Sequence, residues 1–297
     1  MKGIELVNLI AHSARMGSDP NLVQAGGGNT SWKNGSTIFI KASGKRLTDA
    51  LTEDIFTQVE YGSLSSSEIV NCKDFGRFTT MDLAPSIETN FHIILQGQFV
   101  THLHSLGSIA LGVSLMEIDI FLSQLVQKSF VSVPYARPGV QLAKQIIGTV
   151  GYLDKHLVLE NHGVIFSAES IEGIESAVHR FEKNVVSFFS NLALSENYPS
   201  WIEILSGGVL TPDEAVFLGS VPFTKSELPL PKLITIKSDG TVIFPEGISN
   251  DKVDLANFYV RVAKLIERKT QVRYISSDEV NALVNWDREK LRIAMAK

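Results

Sequence analysis

The apolar residues of this chain recur at helical intervals in several segments. Residues 3–16 place Ile4, Val7, Ile10 and Ala14 three and four positions apart, which predicts an amphipathic helix. The same period marks two further segments as helices, residues 86–97 (SIETNFHIILQG) and 171–194. Ser86 is the predicted N-cap of the first of these two, because serine is a preferred capping residue.

Other apolar runs are short and end in turn residues, which favours strands. Residues 36–43 (STIFIKAS) alternate in a β-like way, and residues 99–104 (FVTHLH) form a compact apolar run. Residues 157–166 (LVLENHGVIF) predict two strands around a tight turn at Asn161–Gly163. Polar residues 61–76 predict a loop. Mixed helices and strands indicate an α/β domain.

Proline residues are frequent in residues 198–232, and the pattern of hydrophobic and polar positions changes beyond them. Residues 233–247 predict a hairpin around Asp239–Gly240, followed by helices over 251–268 and 277–295. We therefore predict a domain boundary near residue 205. It separates a main domain, 1–205, from a smaller C-terminal extension, 206–297.

Composition narrows the classes of function. Among 297 residues, 27 are basic and 32 acidic, so the net charge is −5, which disfavours a nucleic-acid partner. Cys72 is the single cysteine, so no internal disulfide forms, as is usual in a reducing compartment. The start lacks a secretory apolar core, and no apolar run approaches the roughly 20 residues of a membrane span. We expect a cytoplasmic protein with no membrane partner.

A pair of histidines ends the apolar run at 99–104. His102 and His104 are two positions apart, so in a strand both rings point to one face and can share an ion. The alternative is two partly exposed residues at a strand end. His162, at the turn before Gly163, is the best candidate for a third ligand, although an ordinary turn histidine fits the same pattern. Four histidines in helical patterns or at a strand start are less suitable: His12, His92, His156 and His179.

Three neutral imidazoles would leave one coordination position open, as in catalytic zinc sites. A metal there would polarise a carbonyl, and that chemistry needs a group that moves a proton. Glu88, near the start of its predicted helix, is the candidate. The alternative is an acidic residue favoured by the helix dipole.

A glycine-rich turn suggests an anion site. Residues 26–31 (GGGNTS) offer bare backbone amides and small hydroxyls, without the Gly-Lys-Ser/Thr of a nucleotide-binding loop. Ser43 and Gly44 add donors, and Lys41 and Lys45 add positive charge. The alternatives are an ordinary turn and solvated surface lysines.

Taken together, these motifs resemble a known family. GGGNTS, IKASG, PSIE, THLH and NHG occur in this order and spacing, and the chain is identified through them as similar to the class II aldolase/adducin family over residues 1–195. The region beyond is similar to the part that follows the aldolase in bifunctional rhamnulose-phosphate aldolase/dehydrogenase proteins. No Rossmann glycine fingerprint follows it.

The resemblance implies a three-layer αβα fold with a mainly antiparallel central sheet, to which a small α+β extension is added. It implies one Zn²⁺ per chain, or another divalent metal, on His102, His104 and His162, with Glu88 as acid/base. It implies phosphate binding by Gly28, Asn29, Ser43, Gly44 and Ser86. It also implies a sugar-phosphate substrate and a homo-oligomer, with a tetramer favoured.

The chain departs from patterns found in the family in three places. Ile87 stands where many phosphate-binding members have a second serine, and residues 105–134 contain no tyrosine where the fuculose-phosphate aldolase uses one. Glu88 stands where the epimerases have Asp.

The leading hypothesis is a zinc-dependent lyase that cleaves a ketose 1-phosphate or similar sugar phosphate through a metal-stabilised enediolate. The alternatives are a related dehydratase, decarboxylase or epimerase, or a non-catalytic adducin-like assembly protein.

Overall fold

A seven-stranded sheet forms the centre of the molecule. The computed structural model describes residues 3–124, 129–151, 156–220 and 222–286. The strands of this sheet are β1 (Asn29–Asn34), β2 (Thr37–Lys41), β3 (Phe56–Glu60), β4 (Phe99–Leu103), β5 (Phe130–Val133), β6 (His156–Leu159) and β7 (Gly163–Ala168). Their spatial order is β3-β2-β1-β4-β7-β6-β5. Only β5 and β6 pair in parallel, so the sheet is mainly antiparallel, as expected.

Helices cover both faces of this sheet. They are α1 (Ile4–Gly17), α2 (Ser66–Asn71), α3 (Thr89–Ile94), α4 (Leu106–Gly112), α5 (Glu117–Gln124), α6 (Val140–Val150) and α7 (Ile171–Asn191). Side chains alternate along the strands: Phe99 and Leu103 join the core under α1, α4 and α7, whereas Val100 joins the core under α2, α3 and α6. The predicted three-layer αβα architecture is confirmed.

Helix α1 begins and ends within one residue of its predicted bounds, but its buried face differs from the predicted stripe. Leu6 and Leu9 are buried together with Ala14 of the predicted stripe, whereas Ile4 is 66% and Val7 is 48% exposed. Both sets have helical spacing, so periodicity alone does not choose between them.

Two local predictions are wrong. Ser86 does not cap α3: Glu88 occupies the N-cap position, and Ser86 Oγ instead accepts a hydrogen bond from Glu88 N at 3.2 Å. Residues 61–76 are not simply a loop, because they contain α2 and a short 3₁₀ turn, Phe75–Phe78. A capping box between Ser65 and Glu68 starts α2, which then buries Ile69 and Val70.

The C-terminal segment adds a small three-stranded sheet and three helices. The strands are β8 (Phe223–Lys225), β9 (Ile234–Ile236) and β10 (Val242–Ile243), of which the last two form the predicted hairpin. The helices are α8 (Trp201–Gly207), α9 (Asn250–Ile266) and α10 (Ser277–Val284); the predicted continuation of α10 through 287–295 lies outside the described residues. Further turns are Leu47–Leu51 (3₁₀) and Glu214–Leu218 (π-helical).

One apolar core extends through both parts of the chain. Helix α9 packs on α4, α7 and α8, and its buried residues belong to the same core as Leu9 of α1. The predicted boundary at residue 205 falls within α8 and stays a prediction. Over the described residues, no helix has the length and apolar character required to cross a membrane.

We expect Phe258→Ala to destabilise the whole chain. Phe258 of α9 is fully buried in the shared core, so its removal should lower the free energy of unfolding by about 3–5 kcal/mol. Urea unfolding is measured by circular dichroism and by tryptophan fluorescence. The unfolding midpoint should fall by the same amount in both signals. Leu194→Ala, at a side chain that is 67% exposed, is the control. Separate transitions for the two signals would contradict a continuous core.

Candidate metal and active site

The candidate site lies where several strands meet at one end of the central sheet. Strand β4 ends there, and β1 and β7 begin there, because both pair with β4 in antiparallel register. That register sets Asn29 opposite His102 and Leu103 opposite Val164. Residues far apart in the chain therefore converge on one point.

The three predicted ligand histidines come together at this point. Nitrogen atoms of His102, His104 and His162 all lie within 4.8 Å of one another, and the three residues are buried. Nε2 of His102 and Nε2 of His104 are 3.0 Å apart. Two ligands of a tetrahedral zinc ion with bonds of about 2.0–2.1 Å lie roughly 3.3 Å apart, so the spacing suits such an ion.

The other ring nitrogen of His102 is held by the backbone. Its Nδ1 is 3.0 Å from the carbonyl oxygen of Val164, which only accepts, so Nδ1 carries the proton and donates it. Burial lowers the pKa of His102 to about 4, so the ring is neutral near pH 7. Nε2 therefore presents a lone pair to the site.

His104 is held in the same tautomer by a carboxylate. Its Nδ1 is 2.9 Å from Oδ2 of Asp213, which comes from the C-terminal segment. Because the carboxylate accepts, Nδ1 donates, and the nitrogen turned toward His102 is Nε2, the one that can bind a cation. The two Nε2 atoms thus face each other, an arrangement that suits a shared cation.

The carboxylate of Glu88 faces two of the imidazoles. Oε1 is 3.5 Å from His162 Nε2, and Oε2 is 3.7 Å from His102 Nε2. Oε2 accepts a hydrogen bond from Asn29 Nδ2 at 2.8 Å. Among the described residues, Oε1 has no hydrogen-bond partner, so it is the oxygen left available for chemistry.

A buried chain of hydrogen bonds orients Asn29. His92 Nε2 donates to Asn29 Oδ1, and His92 Nδ1 accepts from the Ser31 hydroxyl at 2.7 Å. Burial holds the pKa of His92 well below its usual range, so the ring is neutral and one nitrogen can accept. The amide group of Asn29 is thereby turned toward Glu88. Sequence reasoning set His92 aside as a helix residue, and its supporting position depends on pairing across the sheet.

The predicted anion-binding residues line one cleft beside the histidines. Gly28, Asn29, Ser43, Gly44 and Ser86 all border it, together with Ile87 and Lys41. Gly28 and Gly44 have φ of +63° and +78°, which only glycine adopts readily. Ser86 Oγ already accepts from Glu88 N, so its proton is the group that can donate to a ligand.

Lys41 is buried and does not belong to the solvated surface. Its Nζ donates to the carbonyl oxygens of Gly26 at 3.0 Å and Lys45 at 2.7 Å, which ties the glycine turn to β2. Lys45 instead pairs with Glu53 at the surface, at 2.8 Å. A single positive charge is thus fixed in the wall of the cleft.

Asp213 is the site residue that the sequence analysis missed. It occurs in the segment TPDE, beyond the region of the family resemblance, and no local pattern connects it to His104. The Pro-rich stretch was visible only as a change in composition. Its approach to the site depends on long-range packing, which hydrophobic periodicity does not report.

Comparisons with known proteins agree with this fold. The sequence model described as "Class II Aldolase and Adducin N-terminal domain" matches residues 8–184. A Bacillus subtilis (strain 168) protein, named uncharacterized oxidoreductase YuxG, is 30% identical over 195 residues, which cover 58% of this chain and 27% of that protein. The match therefore spans about a quarter of that relative's length.

A solved structure shows the fold as well. It is the N-terminal class II aldolase domain of a conserved protein from Thermoplasma acidophilum, with a TM-score of 0.51 and 23% identity. The alignment covers 63% of this chain and 94% of that domain. The residues that match the family model, 8–184, include the three histidines.

We expect the buried carboxyl of Glu214, next to Asp213, to make stability depend on pH. Burial raises its pKa to about 8, whereas an unfolded glutamate has a pKa near 4.3. Between these values the folded state binds more protons, so this group's contribution to stability falls as pH rises. Glu214→Gln should remove that fall, a difference on the order of a few kcal/mol between pH 5 and 8.

Urea unfolding at pH 5, 6, 7 and 8 measures this dependence. Glu172→Gln, at an exposed position of α7, is the control and should keep the wild-type profile. Parallel profiles for wild type and Glu214→Gln would contradict the assignment.

Proposed function

The chain belongs to the class II aldolase and adducin N-terminal domain family, and we propose from that membership that it is a zinc-dependent lyase. In this proposal it cleaves a sugar phosphate, such as a ketose 1-phosphate, by a retro-aldol step. One observation supports it above all others: three buried histidines that could hold a metal ion converge beside a buried carboxylate, at a cleft lined by Gly28, Ser43, Gly44 and Ser86.

The residues present fit a divalent metal. His102, His104 and His162 would hold one ion per chain, and three imidazoles leave a coordination position for substrate. When bound there, the ion supplies a Lewis acid that polarises the substrate carbonyl and stabilises the negative charge that develops beside it.

Glu88 is the residue we assign to proton transfer at carbon. Asn29 fixes one carboxylate oxygen, so the side chain keeps its orientation while the other oxygen faces the reacting atoms. A general acid/base acts within hydrogen-bond reach of the proton that it moves. The position of Glu88 between the histidines and the anion cleft suits a carbon that lies next to the carbonyl.

The phosphate of the donor half would occupy the cleft beside Gly28, Ser43, Gly44 and Ser86. Backbone amides at positive-φ glycines and the Ser86 hydroxyl offer donors, and Lys41 contributes positive charge. Fixing the phosphate there sets which bond lies over the metal and Glu88.

We assign the aldehyde half of the substrate to a neighbouring pocket. Ile87 and Pro138 line both the anion cleft and this pocket, which continues past Gly139 and Arg137. Arg137 is held by Glu279 of α10 at 2.6 and 2.9 Å. The apolar face of Ile87, where many relatives have serine, would contact carbon rather than phosphate oxygen.

We further propose a cytoplasmic homo-oligomer, with a tetramer favoured. The family resemblance supports the assembly, and exposed apolar side chains such as Met116 and Ile120 are available at the surface for subunit contacts. Sedimentation of the purified chain measures its mass in solution, and a monomer at micromolar concentration would contradict this part of the proposal.

We expect Glu88→Gln and His104→Ala to separate proton transfer from metal binding. Glu88→Gln should retain about one metal equivalent and lose at least roughly 100-fold in rate, the usual scale for a general acid/base. His104→Ala should lose both. Metal analysis of protein purified without chelator, with and without added Zn²⁺, gives occupancy, and an aldehyde assay gives rate.

Wild-type protein with much less than one equivalent, unrestored by added metal, would favour the non-catalytic adducin-like alternative. Full activity of Glu88→Gln would show that another residue moves the proton. Glu169→Gln, outside the site, is the matched control.

We expect phosphorylated ketoses to be cleaved in preference to free ketoses. A panel of both, supplied with Zn²⁺, is assayed for release of aldehyde and of dihydroxyacetone phosphate. Ser86→Ala should raise KM for the phosphorylated substrate by roughly 10- to 150-fold, because a lost hydrogen bond to a charged group costs about 1.5–3 kcal/mol. Equal cleavage of phosphorylated and free sugars would show that the substrate does not need a phosphate group and would contradict that part of the proposal.

A further inference from the structure

The C-terminal segment reaches into the metal site through a single carboxylate. Asp213 Oδ2 lies 2.9 Å from His104 Nδ1, and both side chains are less than 10% exposed. Asp213 lies outside residues 8–184, the part that matches the family model. This contact therefore comes from a region whose role the family membership does not explain.

Geometry fixes the direction of this hydrogen bond. A carboxylate accepts, so Nδ1 of His104 carries a proton, and Nε2, which faces His102 Nε2 at 3.0 Å, is the nitrogen left to bind a metal. A carboxylate behind a ligand histidine also raises the basicity of the ring and limits its rotation. Both effects strengthen metal binding without a direct bond from Asp213 to the ion.

The glycine turn leaves room for this contact. A Cβ at Gly27 would lie 2.9 Å from Asp213 Oδ2 and 3.0 Å from His104 Nδ1. Any side chain at position 27 would therefore press on both partners of the hydrogen bond. Glycine at position 27 of GGGNTS therefore leaves the space that the hydrogen bond between Asp213 and His104 occupies.

The same segment also holds the turn that carries His162. Asn161 Nδ2 donates to the carbonyl oxygens of Leu210 and Arg273, both at 2.8 Å. Asn161 has φ of +54°, a strained conformation that these two bonds hold in place. Two of the three candidate ligands, His104 and His162, are therefore fixed from beyond residue 205.

We propose, on the basis of the metal site proposed above, that Asp213 is a positioning residue for the metal. It holds His104 in the tautomer that binds the ion, and it makes metal affinity depend on the docked C-terminal segment. The segment is then part of the functional unit and not only a cover for the apolar core.

Metal affinity of the full chain tests this proposal. Zn²⁺ dissociation constants of wild type, Asp213→Asn and Gly27→Ala are measured by competition with a chelator. Asp213→Asn should bind roughly 10–100-fold more weakly, the usual effect of removing such a partner. Gly27→Ala should weaken binding in the same direction. Asp254→Asn, exposed on α9 of the same segment, is the matched control and should bind as wild type.

Imidazole nitrogen shifts of the zinc-loaded wild-type protein give a test that needs no variant. His104 should show a protonated Nδ1 and a metal-bound Nε2 in long-range ¹H–¹⁵N spectra. Equal affinity of wild type and Asp213→Asn, or metal bound to Nδ1 of His104, would overturn the role of Asp213 but would not contradict the proposed function. A wild-type chain that binds no divalent ion would overturn both this role and the proposed function.

Discussion

Two imidazole nitrogens, Nε2 of His102 and Nε2 of His104, face each other at 3.0 Å inside this protein, and the arrangement of the site depends on the acceptors behind the two rings. Nδ1 of His102 donates to Val164 O, and Nδ1 of His104 donates to Asp213 Oδ2, so each ring turns Nε2 toward the other. In the neutral form of each ring, Nε2 presents a lone pair. A cation between two such lone pairs is attracted to both, and the low dielectric of a buried site strengthens that attraction.

The sheet supplies the first of these acceptors and the C-terminal segment supplies the second. Val164 O lies within reach of His102 Nδ1 because β4 and β7 pair in a register that sets Ile165 opposite His102, and a slip by one residue would turn His102 to the other face. Gly163 makes the close approach feasible, since a Cβ there would lie 2.4 Å from Leu103 O. The Asn29–Glu88 bond depends on β1 pairing with β4 in the same way. The geometry of the candidate site is thus a consequence of strand register.

What the sequence predicted well was local, and what it missed was long-range. Helix α7, the H-x-H strand β4 and the turn at His162 follow from periodicity and turn residues within a few positions. Ser86 satisfies the rule for an N-cap, yet its hydroxyl accepts from Glu88 N, because the chain turns there to bring Glu88 into the site. Lysine is usually a surface residue, but Lys41 is buried, and its ammonium group donates hydrogen bonds to two backbone carbonyls. Asp213 is 109 positions from His104 in sequence, so only the tertiary fold reveals the pair.

The family match ends at residue 184, whereas the contacts that shape the site extend to Asp213 and Arg273. A division at residue 205 therefore separates the three candidate ligand histidines from groups that orient two of them. The glycine turn lies within the matched region, yet Gly27 leaves the space that the Asp213 carboxylate occupies, and Asp213 lies outside that region. Because the ligand set and its orienting carboxylate come from different parts of the chain, folding of the C-terminal segment and metal binding should stabilise each other.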